Sequence, residues 1–375
     1  MVRVLNIISD TNIGGAGNVL LNYLKYHDRN NFEISVVVPR GSHLKLPLER
    51  GGTAVYEIDG ISDKSFDFKA IKKLKKIIKQ VAPDVVHTHG ALSGRIAAGR
   101  CHVPIVYTRH SVFDIDPKRT KGIRLKLNKK INEHYADRII AVSPAAKKNL
   151  TDVGISESYI DVVMNGIAPM RRYTPTERAE IRTSFGIGDD DFALGIVARI
   201  EEYKGHGILL DALTQLLDRG LNLKLLIAGT GSNEEALRVK IAEIGAKNNI
   251  NFLGFVKDVE SLLNALDLQI NASNGTEATS LSLLEGMSIG LPAVVSDFGG
   301  NPFLIEHEKN GLVFKCNDSR ELAHCIERMM FEKKLYDKIS KTCIETFHNK
   351  YTGKIFASNT EKVYLKTLEG KQDGK

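Results

Sequence analysis

Tryptophan is absent from the 375 residues, cysteine occurs four times, and no apolar run approaches the roughly 20 residues needed to cross a bilayer. Each shortage excludes something. Cys101, Cys316, Cys325 and Cys343 lie far apart, with no C-x-x-C pair and no histidine at zinc spacing. Neither a disulfide framework nor a structural metal site is expected, and a reducing cytoplasm is the natural home. The opening Met1-Val2-Arg3-Val4-Leu5-Asn6-Ile7-Ile8-Ser9 is too short, and too polar afterwards, to read as a signal peptide; it reads as a first buried strand. No short repeat or low-complexity tract is visible.

The formal charge of +7 points to an anionic partner without choosing among nucleic acid, membrane surface and phosphorylated substrate. Two basic runs lie in the N-terminal half. Lys69, Lys72, Lys73, Lys75, Lys76 and Lys79 punctuate Ile71, Leu74, Ile77 and Ile78, a pattern that a solvated helix face explains. Lys118 to Lys130 carries seven basic residues and no acid, with Ile123, Leu125 and Leu127 interleaved. This second run reads as a surface for anionic lipid. Almost no aromatic side chain interrupts either run, so bases would have nothing to stack on and no nucleic-acid partner is expected.

Length favours two domains. Short β-branched runs alternate with helical spacing throughout, the signature of parallel α/β architecture. Strands are expected at Val2–Ile8, Glu33–Val38, Ala54–Ile58, Val85–Thr88, Ile105–Thr108 and Arg138–Val142, then at Ala193–Val197, Leu223–Ala228, Asn251–Leu253, Leu268–Asn271 and Ala293–Ser296. The pattern breaks between about Asn165 and Asp191, which reads as a linker without strands. Ligands of open α/β sheets bind beyond the C-terminal ends of the strands, so the loops there are the places to look for chemistry.

Asp10-Thr11-Asn12-Ile13-Gly14-Gly15-Ala16-Gly17-Asn18 follows the first strand and precedes an apolar helix from Val19. Gly14 and Gly15 would let backbone amides approach a phosphate or sugar, or simply make a tight turn. A dinucleotide fingerprint fails, because Leu20 stands where the third glycine belongs and the second strand ends in Pro39-Arg40 rather than an acid. A nucleotide-binding oxidoreductase is thereby disfavoured, and no cofactor is expected.

The strongest constellation runs from Asn271 to Met287. A strand ends, a polar loop follows, and a helix begins near Ser280. The amides of Thr279, Ser280 and Leu281 would form a diphosphate site at the positive end of the helix dipole. Glu277 just before them and Glu285 about one turn inside could hold sugar and ribose hydroxyls. Equally, Glu277 could cap the helix and Glu285 could be a solvated surface group; the spacing alone does not choose.

Glu277 and Glu285 stand at E-x7-E spacing within Glu277-Ala278-Thr279-Ser280-Leu281-Ser282-Leu283-Leu284-Glu285-Gly286-Met287. This stretch resembles the signature of retaining glycosyltransferases of family 4. The resemblance extends through Gly14-Gly15, Val106-Tyr107-Thr108-Arg109-His110, Asn165-Gly166-Ile167, Ala198-Arg199-Ile200 with Lys204-Gly205, Ala228-Gly229-Thr230-Gly231, Phe252 to Val256, and Gly299-Gly300. It implies an α/β glycosyltransferase-B fold, two Rossmann-like domains facing across a cleft. Residues 1–168 would form the acceptor domain and 169–351 the nucleotide-sugar donor domain, with a final helix at about 352–375 packing back on the first.

The resemblance also implies roles. Arg199 and Lys204 would stabilise the departing diphosphate, Glu277 would bind the donor sugar, and Glu285 the ribose. Val256 would frame the base and His110 would lie near the sugar. The donor would be a nucleoside-diphosphate sugar, uridine-based, and the acceptor a carbohydrate or lipid-linked hydroxyl. The enzyme would be peripheral on the inner face of the cell membrane. His87 and His89 read either as loop packing or as acceptor contacts.

Two positions depart from the family pattern: Phe303 replaces an acid after Gly299-Gly300-Asn301-Pro302, and Ala278 replaces a glycine beside the sugar-binding glutamate. Asp114-x-Asp116 and Asp189-x-Asp191 have the bare spacing of a metal-holding pair, but with Arg199 and Lys204 supplying positive charge no metal is expected. A nucleotide-sugar epimerase of the same fold remains the rival enzyme, and a nucleic-acid-binding protein using the basic N-terminal half is the rival outside enzymes.

Overall fold

The computed structural model describes residues 1–61, 66–112 and 122–372, apart from the side chains of Arg124, Lys371 and Gln372. The chain divides into two units, Met1–Ala168 with Thr352–Lys375, and Pro169–Tyr351.

The first unit holds seven parallel strands, β1 (Val2–Ile8), β2 (Phe32–Pro39), β3 (Ala54–Ile58), β4 (Val85–His89), β5 (Ile105–Arg109), β6 (Arg138–Ala141) and β7 (Ile160–Val162). Their order is β3-β2-β1-β4-β5-β6-β7. Strand order reverses between β1 and β4, so a crevice opens beyond their C-terminal ends. Helices cover both faces, which is why Val4, Leu5, Ile7, Ile8 and Val36 to Val38 are all buried.

The helices of this unit are α1 (Gly15–Tyr26), α2 (Lys45–Arg50), α3 (Phe68–Val81), α4 (Leu92–Gly99), α5 (Gly122–His134) and α6 (Pro144–Asp152). In α3, Asp67 caps the N-terminus by accepting from the Lys69 and Ala70 amides. The helix buries Ala70, Ile71, Leu74 and Ile78 and leaves Lys69, Lys72, Lys73, Lys76 and Lys79 exposed. Burying each large aliphatic chain contributes about 2 kcal/mol, which sets the helix's rotation.

The second unit repeats the scheme with six parallel strands, β8 (Phe192–Val197), β9 (Leu223–Ala228), β10 (Ile250–Gly254), β11 (Leu268–Asn271), β12 (Ala293–Ser296) and β13 (Leu312–Phe314), ordered β10-β9-β8-β11-β12-β13. Its switch point lies between β8 and β11. The helices are α7 (Pro175–Ser184), α8 (His206–Leu217), α9 (Glu234–Glu243), α10 (Val259–Ala265), α11 (Leu281–Ser288), α12 (Asn301–Leu304), α13 (Ser319–Phe331) and α14 (Lys333–Lys350).

The last helix, α15 (Gly353–Gln372), returns to the first unit and packs on α1, with Tyr364 and Phe356 edge-on to Tyr23. The Tyr364 ring is fully buried, and Glu361 accepts from the Asp28 amide at 2.8 Å.

Three expectations need correction. The stretch from Asn165 to Asp191 is no bare linker: it contains α7, which starts on a reciprocal capping box between Thr174 and Glu177. Arg178 and Arg182 of α7 grip Asp267 at 2.6 and 2.8 Å, anchoring the helix at the start of β11. The apolar helix begins at Gly15 rather than Val19, because Gly17 packs against Leu44 in the first turn. β7 and β13 were not expected; three residues each are too few to show a period.

Candidate active site

In the second unit the chemistry gathers at the switch point. After β8 the chain runs through Ala198, Arg199 and Ile200 into a 3-10 turn, Glu202–Lys204. Gly205 then sits at φ +73°, and a Cβ there would lie 2.0 Å from the carbonyl oxygen of Ala272 just beyond β11. Only glycine permits this approach, and it brings Lys204 against the loop carrying Glu277.

Glu277 is 5% exposed and its ion-pair partner Lys204 is also largely buried. Lys204 Nζ donates to Glu277 Oε2 at 2.8 Å, the Ser273 hydroxyl donates to the same oxygen at 3.0 Å, and Asn271 Nδ2 at 3.4 Å. All three fall on Oε2, which fixes the carboxylate plane and leaves Oε1 outside these bonds. Gly300 donates its amide to the Glu277 carbonyl at 3.0 Å, and a Cβ on Gly300 would stand 1.7 Å from the Ala278 carbonyl oxygen. Glu277 is therefore not the helix cap. Ser280 is, its hydroxyl accepting from the Leu283 amide at 3.4 Å.

α11 begins at Leu281, so the amides of Ser280 and Leu281 belong to a helix N-terminus and have no acceptor within the helix. Thr279 lies just before the cap. Glu285, half-buried in the second turn of α11, is not a freely solvated group: burial pushes its carboxyl up to about 7. A carboxyl raised from its usual 4.5 destabilises the fold progressively as pH rises from about 4.5 to 7. Glu285→Gln is accordingly expected to raise the melting temperature relative to the parent protein at pH 8 and to change it little at pH 5. Equal shifts at both pH values in thermal unfolding would contradict this.

Arg199 lies exposed on the loop after β8, where Glu201 faces it electrostatically. Val256 follows β10 and packs its side chain against the core of this unit, so a base there would meet backbone rather than side chain. Ala278 is buried, and Phe303 is exposed on α12; nothing in the structure explains the aromatic at 303. Asp189 and Asp191 lie before β8, at the opposite end of the sheet from Lys204; Asp114 and Asp116 lie outside the described residues. Among the described residues no group of three His, Cys, Asp or Glu side chains could hold a metal.

In the first unit, His87 and His89 belong to β4 itself rather than to a loop, and His110 follows β5. His87 is bonded through Nδ1 to the Tyr364 hydroxyl at 2.7 Å and through Nε2 to the Thr108 hydroxyl at 2.6 Å. His89 Nδ1 meets His110 Nε2 at 2.8 Å, and His89 Nε2 meets Asn6 Oδ1 at 3.0 Å. Burial pushes His110 down to about 4 and His87 to about 3, so both rings are neutral at pH 7. Gly14 caps α1 and Gly15 opens it; both are exposed, and a Cβ on Gly15 would meet nothing within 4 Å.

Sequence reasoning missed the supports of this site. Along the chain Asn6 reads only as part of the first strand, Asn271 as the end of a strand and Ser273 as part of the polar loop after it. A buried polar residue inside an apolar run was the available signal.

One of the two parallel α/β units thus bears a Lys–Glu pair beside a helix N-terminus at its switch point, an arrangement suited to an anion. Residues 13–171 match the family model described as Glycosyltransferase Family 4, and residues 177–346 match that described as Glycosyl transferases group 1. The chain belongs to this glycosyltransferase family. It is 26% identical over 364 residues to an uncharacterised glycosyltransferase of Methanocaldococcus jannaschii, covering 91% of each chain. It is 27% identical over 290 residues to the UDP-Gal:alpha-D-GlcNAc-diphosphoundecaprenol alpha-1,3-galactosyltransferase of Escherichia coli, covering 74% of each. Among solved structures, Anabaena HepE in complex with UDP and glucose superposes with a TM-score of 0.84 at 22% identity, covering 97% of this chain and 99% of that one. The fold is that of the glycosyltransferase-B enzymes, and the protein is a glycosyltransferase.

Proposed function

We propose that this enzyme moves a sugar from a UDP-sugar to a hydroxyl of a carbohydrate or lipid-linked acceptor, with retention of configuration, in cell-surface polysaccharide or glycolipid synthesis. The observation that carries the reading is the buried Lys204–Glu277 pair set beside the N-terminus of α11. UDP in HepE and the UDP-galactose of the Escherichia coli relative support the choice of base.

We assign the donor to the second unit. The diphosphate would take the amides of Thr279, Ser280 and Leu281 together with Arg199 and Lys204. The ribose would bond Glu285, and the base would lie along the backbone at Val256. The Oε1 oxygen of Glu277 accepts from donor-sugar hydroxyls, while Oε2 stays engaged by its three donors. That role makes Glu277 an anchor rather than a nucleophile. As the bond from the anomeric carbon to the diphosphate oxygen breaks, Arg199 and Lys204 hold the growing negative charge. The acceptor oxygen attacks from the face the diphosphate leaves, and its proton passes to the departing phosphate. We assign the acceptor to the first unit, at Gly14 and Gly15, and give His110 a contact to the transferred sugar.

Thermal unfolding tests the donor site. UDP and one or more UDP-sugars, without added metal, are expected to raise the melting temperature, by about 2.7 kcal/mol of stabilisation at a hundredfold excess over Kd. ADP and GDP are expected to do far less. No shift with any uridine ligand would refute the donor assignment. Product analysis without acceptor separates transfer from epimerisation, since an epimerase would alter the nucleotide sugar alone.

The acceptor class brings in the membrane. No helix among the described residues is long and apolar enough to cross one. The run from Lys118 to Lys130 lies partly outside the described residues; within them, α5 exposes Ile123 (84%) and Leu127 (56%) one helical turn apart, with Lys126, Lys129 and Lys130 exposed beside them. We propose that α5 docks on an anionic inner-membrane surface from the cytoplasmic side. Replacing both apolar residues with glutamate is expected to cut co-sedimentation with phosphatidylglycerol vesicles at least tenfold. Unchanged binding would exclude α5 as the anchor.

A further inference from the structure

The hydrogen bonds around His89 form a chain with a direction. Asn6 is fully buried on β1, and its Oδ1, which can only accept, lies 3.0 Å from His89 Nε2. With Asn6 Oδ1 on that side, His89 carries its proton on Nε2. Its other nitrogen, Nδ1, is then a bare acceptor, and the 2.8 Å bond to His110 Nε2 requires the proton to sit on His110 Nε2. A neutral imidazole has one N–H, so His110 Nδ1 is left with its lone pair. No bond from the described residues reaches that atom.

We propose that Asn6 is a positioning residue that fixes the tautomers of His89 and His110, so that His110 offers an unprotonated Nδ1 as hydrogen-bond acceptor to a hydroxyl of the bound sugar. The stacking of the two rings, 5.1 Å apart at 25°, holds the chain in register. The His87 ring, 4.2 Å from that of His89 and tilted 36° to it, is tied to Thr108 and Tyr364 and packs against His89. The inference deepens the role given above to His110 and rests on it for its consequence, though not for the tautomers themselves.

The test uses the full-length protein labelled with 15N-histidine, and long-range 1H–15N correlation spectra that distinguish a protonated from a bare ring nitrogen. Signals are assigned with His89→Gln and His110→Gln. His89 and His110 are both expected in the Nε2–H form. Asn6→Asp, which keeps an acceptor in place, is expected to retain His110 in that form. Asn6→Leu, which removes it, is expected to give a mixture of tautomers at His110 and to lower kcat roughly tenfold, the loss that one hydrogen bond accounts for. A His110 signal with the proton on Nδ1 in the parent protein would overturn the proposal, as would an unchanged spectrum in Asn6→Leu. Correct tautomers in a protein that transfers no sugar would uphold the relay and instead refute the function assigned to His110.

Discussion

Lys204→Ala is expected to lower kcat/KM for sugar transfer by at least about a hundredfold, the usual cost of removing one group aimed at developing charge. It should also lower stability by roughly 3 kcal/mol or more, because it leaves the Glu277 carboxylate buried without its cation. The two effects have different origins and can be separated. The double variant Lys204→Met with Glu277→Gln removes both charges while keeping both volumes. It is expected to recover most of the lost stability, since a neutral amide can still accept from Ser273, and to recover none of the activity. Urea unfolding and single-turnover transfer measured on the same preparations decide the matter. If the double variant transfers sugar at a tenth of the parent rate or better, the pair is structural and the site assignment is wrong.

The second large effect belongs to a glycine that bonds the backbone of Glu277. Gly300→Ala puts a methyl group where the Ala278 carbonyl oxygen already stands, 1.7 Å away. Backbone cannot yield as a side-chain tip would, so the 277–280 loop must move. A cost of about 3 kcal/mol is expected, at the upper end of ordinary overpacking. For a unit of this size that is a fall of roughly 6–12 °C in Tm. Displacement of the Glu277 loop should weaken UDP-sugar binding at least tenfold as well. Gly370→Ala, on an open face of α15 with nothing within 4 Å of the new atom, is the matched control. It is expected to be neutral or to stabilise by up to about 1 kcal/mol. Differential scanning calorimetry with titration of the nucleotide sugar reads both quantities, and parity between the two variants would show that the loop is not held by Gly300.

Much of the architecture was legible along the chain. β1, β3, β9, β11 and β12 begin and end where the apolar runs do. Both faces of these strands are covered, so hydrophobicity is continuous and its limits mark the element. Ser280 as the start of α11, and Glu285 one turn in, were likewise readable from local pattern. α7 was missed although Thr174-x-x-Glu177 announces it, because the flanking Pro175, arginines and acids gave the stretch the composition of a linker.

The site was legible only as a set of names. E-x7-E spacing places Glu277 before and Glu285 inside one helix N-terminus, which is local geometry. It left open whether Glu277 capped that helix or Glu285 faced solvent, since burial depends on what packs from elsewhere. Lys204 and Glu277 stand 73 residues apart, and only the approach of Gly205 to the Ala272 carbonyl makes them an ion pair. Asn6 on β1, His89 on β4 and His110 just after β5 meet only through the sheet order β1-β4-β5. The sequence by itself determined the strands, the helices and the residue types available for chemistry, because these follow from periodicity and side-chain character within a few residues. Which carboxylate oxygen is engaged, which imidazole nitrogen carries a proton, and which acid is pushed towards neutrality were decided by tertiary structure alone. Each depends on groups that close packing brings together from distant parts of the chain.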